Sequence, residues 1–122
     1  MPVIRTEGLT HVHLIVSDLN RSLHFYSTVF GMKERFRDGE SIVFLRTPGA
    51  KDTITLNARP NATHIGRGGV DHIGFRLIDK SDLDTAIREV EAAGGRLIER
   101  GEHKPGEPFA YVADPDGYII EL

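Results

Sequence analysis

The chain has 122 residues and a formal net charge of −3, and 39% of its residues are hydrophobic while 27% are charged. This length favours a single domain, and the acidic balance offers no basic surface for nucleic acid or an anionic membrane. Cysteine is absent, which excludes disulfides, thiolate nucleophiles and cysteine-based metal sites. Since no apolar run approaches the roughly 20 residues of a membrane span and the N-terminal residues do not resemble a signal peptide, we expect a cytoplasmic protein.

The first half of the chain is predicted to form a strand, a helix and further strands. Residues 9–16 are rich in β-branched and apolar side chains, which is typical of a strand. Ser17 or Asp18 can cap the following helix, and Gly31 stands where that helix is expected to end. The helix has one apolar face at spacings of three and four residues, formed by Leu19, Leu23, Tyr26 and Phe30. Short apolar runs then predict strands at 41–46 and 53–57.

The second half repeats this order after a glycine-rich stretch, 58–69, which we interpret as a linker. A strand is predicted at 70–77, and Ser81 with Asp84 resembles a capping box for a helix that Gly94-Gly95 ends. A short strand at 97–98 and a polar loop at 100–108 follow. The last two predicted strands, 109–113 and 118–122, are joined by a turn of the type I pattern, Asp114-Pro115-Asp116-Gly117.

An internal repeat links the two halves. The segment Gly8-Leu9-Thr10-His11-Val12 recurs 61 positions later as Gly69-Val70-Asp71-His72-Ile73. A half of about 60 residues is marginal alone, and its one-sided sheet needs a partner. Two halves that share one core are therefore expected.

Several polar side chains are predicted to share the sheet face opposite the helices. Because side chains alternate along a strand, His11 lies on one face with His13, and His72 on one face with Arg76. A carboxylate such as Glu121 that points into a concave sheet costs several kcal/mol unless it is paired or binds a metal. Two histidines and one carboxylate suit a divalent first-row metal with open positions. A salt bridge from Glu121 to Arg76, with both histidines bonded to backbone, fits the pattern equally well.

Three motifs carry a family resemblance that covers nearly the whole chain. They are Leu9-Thr10-His11-Val12 with Asp18, Ser22, Phe25-Tyr26 and Phe30-Gly31-Met32; Val70-Asp71-His72-Ile73; and Asp114-Pro115-Asp116-Gly117 with Ile120-Glu121-Leu122. Together they resemble the vicinal-oxygen-chelate superfamily. The resemblance implies one α+β domain, 1–122, with two tandem βαβββ modules, 8–57 and 70–122. Their strands would form an eight-stranded, cupped mixed sheet with the helices outside.

The resemblance also implies a metal site. By position, the ligands would be His11, His72 and Glu121, and the metal Fe²⁺, Mn²⁺, Ni²⁺ or Zn²⁺. The fourth ligand of glyoxalase I and the epimerases, a Glu or Gln, would fall on Thr55, which is a poor ligand. A three-ligand centre instead resembles the extradiol dioxygenases and the fosfomycin-resistance enzymes.

Further site residues follow from position in the two three-ligand families and from the shared strand faces. Tyr111, ten residues before Glu121, would reach the substrate, although it could instead be a packing residue. His103 lies near the place of a dioxygenase histidine, in a loop that could act as a flap, and His13 could serve as a general base.

Arg76 is expected to bind an anionic substrate group, unless it forms a surface salt bridge, and Thr55 and Asn57 are expected to contact substrate.

The resulting hypothesis is a metal-dependent enzyme, homodimeric, that acts on a small oxygen-bearing substrate. Dioxygenase-like chemistry fits the three ligands best. Fosfomycin-resistance-like thiol transfer or epoxide hydrolysis comes second, and glyoxalase-like lyase chemistry third. A metal-free binding protein for drugs or metabolites, of the bleomycin-binding kind, is the alternative from another class.

Overall fold

A computed structural model describes residues 4–5 and 7–122, and this part of the chain contains eight strands and two α-helices. In chain order they are β1 (Val12–Val16), α1 (Leu19–Phe30), β2 (Lys33–Asp38), β3 (Ile42–Arg46), β4 (Ile54–Ala58), β5 (Ile73–Gly74), α2 (Leu83–Ala92), β6 (Arg96–Glu102), β7 (Pro108–Ala113) and β8 (Ile119–Glu121). Neither helix is long and apolar enough to cross a membrane.

The strands form two four-stranded sheets of identical topology. Their orders are β1-β4-β3-β2 and β5-β8-β7-β6. In each sheet the first strand pairs in parallel with the last, and the other neighbours are antiparallel. The predicted fold class, two tandem βαβββ modules with a mixed sheet, is therefore confirmed, and the eight strands are divided equally between the two modules.

The first helix forms for the reasons that the sequence indicates. The Asp18 carboxylate accepts a hydrogen bond from the backbone N–H of Arg21 at 3.1 Å, which satisfies one of the free donors at the helix start. At the other end Gly31 adopts a left-handed conformation with φ 64°, which a residue without a Cβ tolerates best. Phe25 and Tyr26 lie on the buried face of the helix, against its sheet.

Four strands differ from the sequence predictions, and one of them is β1, which begins at Val12 instead of residue 9 and so leaves His11 just outside the strand. The predicted βαβββ module requires a third strand after α1, but the sequence pattern does not place it at β2, whose six residues are all exposed and mostly charged, because an edge strand with no buried face lacks an apolar pattern. Strand β6 covers Arg96–Glu102, which is longer than the predicted 97–98 and includes part of the predicted polar loop. Strand β5 is only Ile73–Gly74, shorter than the predicted 70–77, since it pairs with β8 over just two residues.

One hydrophobic core joins the two modules. It includes Leu14 and Phe25 of the first module and Val90, Val112 and Ile120 of the second. The ring of Phe30 also stacks on that of Phe75 with 4.1 Å between centroids. Because neither sheet buries its apolar face alone, each module depends on the other for its stability.

A polar joint adds to this core where the β7–β8 turn meets α1. The Tyr26 hydroxyl donates a 2.7 Å hydrogen bond to Asp114, whose other oxygen accepts from the backbone N–H groups of Asp116 and Tyr118, both at 2.9 Å. The neighbouring Asp116 accepts a 2.6 Å bond from the Ser17 hydroxyl. Burial raises the pKa of both Tyr26 and Asp114. The predicted turn thus also fixes β8 relative to the first module.

Candidate functional site

The candidate site lies on the face of the second sheet that is turned away from α2. Ala110, Val112 and Ile120 point toward the helix side and are fully buried. Residues that alternate with them, Tyr111 on β7 and Glu121 on β8, are directly paired across the two strands and therefore share the other face. Strand alternation thus places a carboxylate and a phenol side by side.

Glu121 is the centre of a cluster of hydrogen bonds. Its Oε1 lies 3.0 Å from Nε2 of His72, and its Oε2 lies 2.9 Å from Nε2 of His103. Tyr111, which is paired with Glu121 across the two strands, also lowers the pKa of this carboxylate. The imidazole of His103 stacks on Phe109 with 4.3 Å between ring centroids, which fixes its orientation. The carboxylate is therefore paired with two histidines, both of which the sequence singled out.

The pKa values of this cluster shift as the contacts require. The hydrogen bond from His103 lowers the pKa of Glu121, with further contributions from Tyr111 and His72. The hydrogen bond to Asp71 raises the pKa of His72, and the charge of Glu121 acts in the same direction. Partial burial and the nearby charge of Glu121 raise the pKa of Tyr111. Glu121 is thus held as a carboxylate, which is the form that binds a metal.

The pair formed by His72 and Glu121 has the spacing of two adjacent metal ligands. Bonds of about 2.1 Å at a right angle would place their donor atoms about 3 Å apart. The observed Nε2–Oε1 distance is 3.0 Å. The other imidazole nitrogen of His72 lies 2.8 Å from Oδ2 of Asp71, an arrangement that leaves Nε2 as the ligand atom. The same distance is that of an N–H···O hydrogen bond, so these two side chains could hold a divalent metal once Nε2 has lost its proton.

The third predicted ligand, His11, makes its hydrogen bond to a neighbouring residue. It is exposed, its Nδ1 is 2.8 Å from the Thr10 hydroxyl, and it lines a cleft of about 350 Å³ together with Gly74 and Arg76. His72 lines a different cleft. Among residues 4–5 and 7–122, no group of three or more histidine or acidic side chains could hold a metal ion. The three-ligand set within one chain therefore remains a prediction.

Three predicted residues of the first module lie together on the corresponding face of the first sheet. Asn57 Nδ2 lies 3.0 Å from Nε2 of His13, so the amide donates and the lone pair of that imidazole nitrogen is engaged. Thr55 is fully buried, and its hydroxyl has no hydrogen-bond partner in the described part of the chain. For His13 to act as a base at Nε2, Asn57 must first release it.

The strand register gives Thr55 the same place in its module that Glu121 has in the other. Thr55 pairs with His13 of the first strand, just as Glu121 pairs with Gly74. The first strands are displaced by 61 positions and the last strands by 66. The equivalence that the sequence predicts thus agrees with the strand pairing.

The sequence did not predict two residues that contact the histidines of the candidate site. Asp71, which contacts His72, could have been found because it directly precedes that histidine, as Thr10 precedes His11. Phe109, which stacks on His103, had no signal, because the contact depends on how the turn after β6 folds back. Arg76 is exposed and lines an open cavity of about 470 Å³ together with His103 and Glu121, so it can reach a ligand there.

Comparison with known proteins identifies relatives along almost the whole length. A manganese-dependent 2,3-dihydroxybiphenyl 1,2-dioxygenase of Geobacillus genomosp. 3 is 32% identical over 92% of this chain and 35% of its own. A lactoylglutathione lyase of Arabidopsis thaliana is 37% identical over 92% of this chain and 42% of its own. The chain thus spans less than half the length of these two relatives. A probable lactoylglutathione lyase of Vibrio parahaemolyticus is 32% identical, with 93% of this chain and 88% of its own covered.

Solved structures and a family profile agree with these relatives. The fosfomycin resistance protein FosX of Listeria monocytogenes has the same fold, with a TM-score of 0.79 and 24% identity over 97% of this chain and 93% of its own. The profile of the Glyoxalase/Bleomycin resistance protein/Dioxygenase superfamily matches residues 8–122. Since that match covers nearly all of the sequence, the chain belongs to the glyoxalase/bleomycin resistance protein/dioxygenase superfamily.

Proposed function

We propose that this chain is a metal-dependent enzyme that acts on a small oxygen-bearing substrate. The observation that carries the proposal is the His72–Glu121 pair, whose donor atoms already have the separation of two metal ligands. A divalent metal held there would bind and polarise substrate oxygens as a Lewis acid, or activate O₂ if it is iron. Relatives named as manganese-dependent dioxygenase and as lyases support metal chemistry without deciding the reaction.

We propose that His11 of a second copy completes the site. Among the residues that the structure describes, no group of three or more histidine or acidic side chains could hold a metal ion, so we infer that the third ligand comes from a second chain. Closed twofold symmetry would give a dimer two equivalent sites, each with His72 and Glu121 from one chain and His11 from the other. Exposed apolar side chains beside both histidines, Leu9 and Val70, suit burial in such an interface.

The remaining polar residues have distinct proposed roles. His103 holds the second oxygen of Glu121 and so favours binding of the metal through the first. Tyr111 presents a hydroxyl beside the same carboxylate and can donate a hydrogen bond to a substrate oxygen. Arg76 borders the adjoining cavity and can pair with an anionic substrate group. His13 and Asn57 would face substrate from the other module.

The first experiment measures metal and oxygen chemistry together. Purified protein should bind about one equivalent of Fe(II), Mn(II), Ni(II) or Zn(II) per chain, and His72→Ala should abolish this binding. With Fe(II), loaded anaerobically, we expect O₂ uptake on addition of catechols. Activity toward epoxide or hemithioacetal substrates with Mn(II) or Ni(II), without O₂ uptake, would instead indicate a transferase or lyase. Absence of metal binding would contradict the proposal as a whole.

The second experiment tests whether the site crosses the dimer. His11→Ala and His72→Ala chains, each defective alone, are co-expressed and the metal content of the mixture is measured. Random pairing makes half of the dimers mixed, and each mixed dimer would have one intact site, which restores about a quarter of the wild-type metal content. A site within one chain would give no restoration, because every site would then lack one histidine.

A further inference from the structure

The two proposed metal histidines share a feature that the internal repeat duplicates. The Thr10 hydroxyl lies 2.8 Å from Nδ1 of His11, and Oδ2 of Asp71 lies 2.8 Å from Nδ1 of His72. Thr10 and Asp71 are 61 positions apart, as are the histidines. In both modules the residue directly before the histidine therefore contacts the same ring nitrogen.

We propose that Thr10 and Asp71 are positioning residues for the two metal histidines, and that Asp71 makes the second module the primary metal-binding half. This inference rests on the proposed metal site but goes beyond it, since it assigns two residues that are not ligands and ranks the two halves. An acceptor at Nδ1 holds the proton there and turns the ring, so that Nε2 is the nitrogen that would bind a metal. Both modules have a group that can accept from Nδ1–H, but only the Asp71 carboxylate is restricted to accepting, because the Thr10 hydroxyl can also donate.

The ranking follows from the different surroundings of the two histidines. His72 has a carboxylate at Nδ1 and a second carboxylate, Glu121, 3.0 Å from Nε2. His11 has only the neutral hydroxyl of Thr10, and the position equivalent to Glu121 is taken by Thr55. Carboxylate oxygens bind divalent cations much better than a threonine hydroxyl does. The metal would therefore be bound first by the second module, and His11 would close the site.

The exposure of Asp71 indicates how it acts. Its side chain is 91% exposed, so water and salt screen its charge. Its main contribution is then the direction of its hydrogen bond rather than its electric field. That distinction can be tested, because asparagine loses the charge and retains an acceptor oxygen.

The test is the zinc dissociation constant, measured by competition with a chelating dye at neutral pH. Asp71→Ala should weaken zinc binding by about tenfold or more, and Asp71→Asn should recover most of that loss. Thr10→Val should weaken it by a smaller factor, about threefold, and Thr10→Ser should restore it. In zinc-loaded protein, ¹⁵N–¹H spectra should show the proton of His72 on Nδ1, and a weaker preference in Asp71→Ala.

Several outcomes would overturn the inference. Zinc affinity unchanged in both Asp71→Ala and Thr10→Val would remove the positioning role. Asp71→Asn as weak as Asp71→Ala would show that charge, not direction, is what matters. A larger loss in Thr10→Val than in Asp71→Ala would reverse the ranking. Wild-type protein that binds no zinc or other divalent metal is a separate result, which contradicts the proposed function itself.

Discussion

The two modules have the same strand register, but the side chains on the sheet face that does not carry the helix differ in chemical type. Across the first sheet, one row of directly paired residues reads His13, Thr55, Phe44 and Phe36. The corresponding row of the second sheet reads Gly74, Glu121, Tyr111 and Glu99. The first row contains one imidazole and no carboxylate, and its two phenylalanine rings stack with 4.3 Å between centroids. The second row contains two carboxylates and a phenol.

The duplicated backbone therefore constrains the positions of these side chains but not their chemical type. The first row offers apolar surface and one imidazole, while the second offers ligands for a cation. A site that needs both must bring together faces from two modules, whether of one chain or of two. The two rows have these separate roles only if the modules are fixed to each other and if Thr55 is a packing residue. Each condition can be tested.

The largest effect is expected from breaking the polar joint between the modules. Asp114→Ala would leave the Tyr26 hydroxyl and the backbone N–H groups of Asp116 and Tyr118 without their acceptor. Buried donors without a partner are costly, so the free energy of unfolding should fall by about 3 kcal/mol. Urea denaturation measures this change.

A matched control separates the joint from ordinary surface charge. Asp84→Ala removes an exposed aspartate of α2 whose partner is Arg100 of β6. Exposed pairs contribute little, so we expect a loss of at most about 1 kcal/mol. Equal losses in the two variants would mean that the joint does not hold the modules together.

A smaller, pH-dependent effect is expected from the tyrosine of the same joint. Burial and the charge of Asp114 raise the pKa of Tyr26 well above its ordinary value of 10.0. The unfolded chain then loses this proton first. The stabilising contribution is complete below pH 10 and is lost as the pH rises toward the folded-state pKa.

The variant Tyr26→Phe should therefore flatten the decline of stability at alkaline pH. It should also lower the free energy of unfolding at pH 7 by about 1–2 kcal/mol, because Asp114 loses a donor. Tyr111→Phe is the control, since that phenol lies outside the joint and its pKa is raised less. Chemical denaturation at a series of pH values would contradict the idea if both variants gave the wild-type slope.

The sequence predicts those parts of the molecule that have a buried face or a local cap. Helix α1 follows from its apolar spacing, Asp18 and Gly31, and the Thr55–Glu121 equivalence follows from the repeat. Strand β2 does not, because all of its side chains are exposed and only its pairing with β3 defines it. Whether His11 and His72 meet at one site also does not follow from the sequence, since a repeat shows which residues are equivalent but not which of them come together.

The smallest effect concerns Thr55, and it decides whether the first row is packing or binding surface. Its hydroxyl is fully enclosed, with no hydrogen-bond partner among the residues that the structure describes. An enclosed hydroxyl without a partner costs free energy, and valine has nearly the same shape. Thr55→Val should therefore raise the free energy of unfolding by about 1 kcal/mol and leave zinc affinity and KM unchanged.

Ser22→Ala is the matched control for this prediction. Its hydroxyl is equally buried but donates a 3.3 Å hydrogen bond to Asp116, so its removal should destabilise the protein. If Thr55→Val also destabilises, or raises KM, then the Thr55 hydroxyl has a partner that forms with substrate or with a second chain. The first row would then belong to the candidate site as Glu121 does, because Thr55, which has the strand position equivalent to Glu121, would also have a polar role.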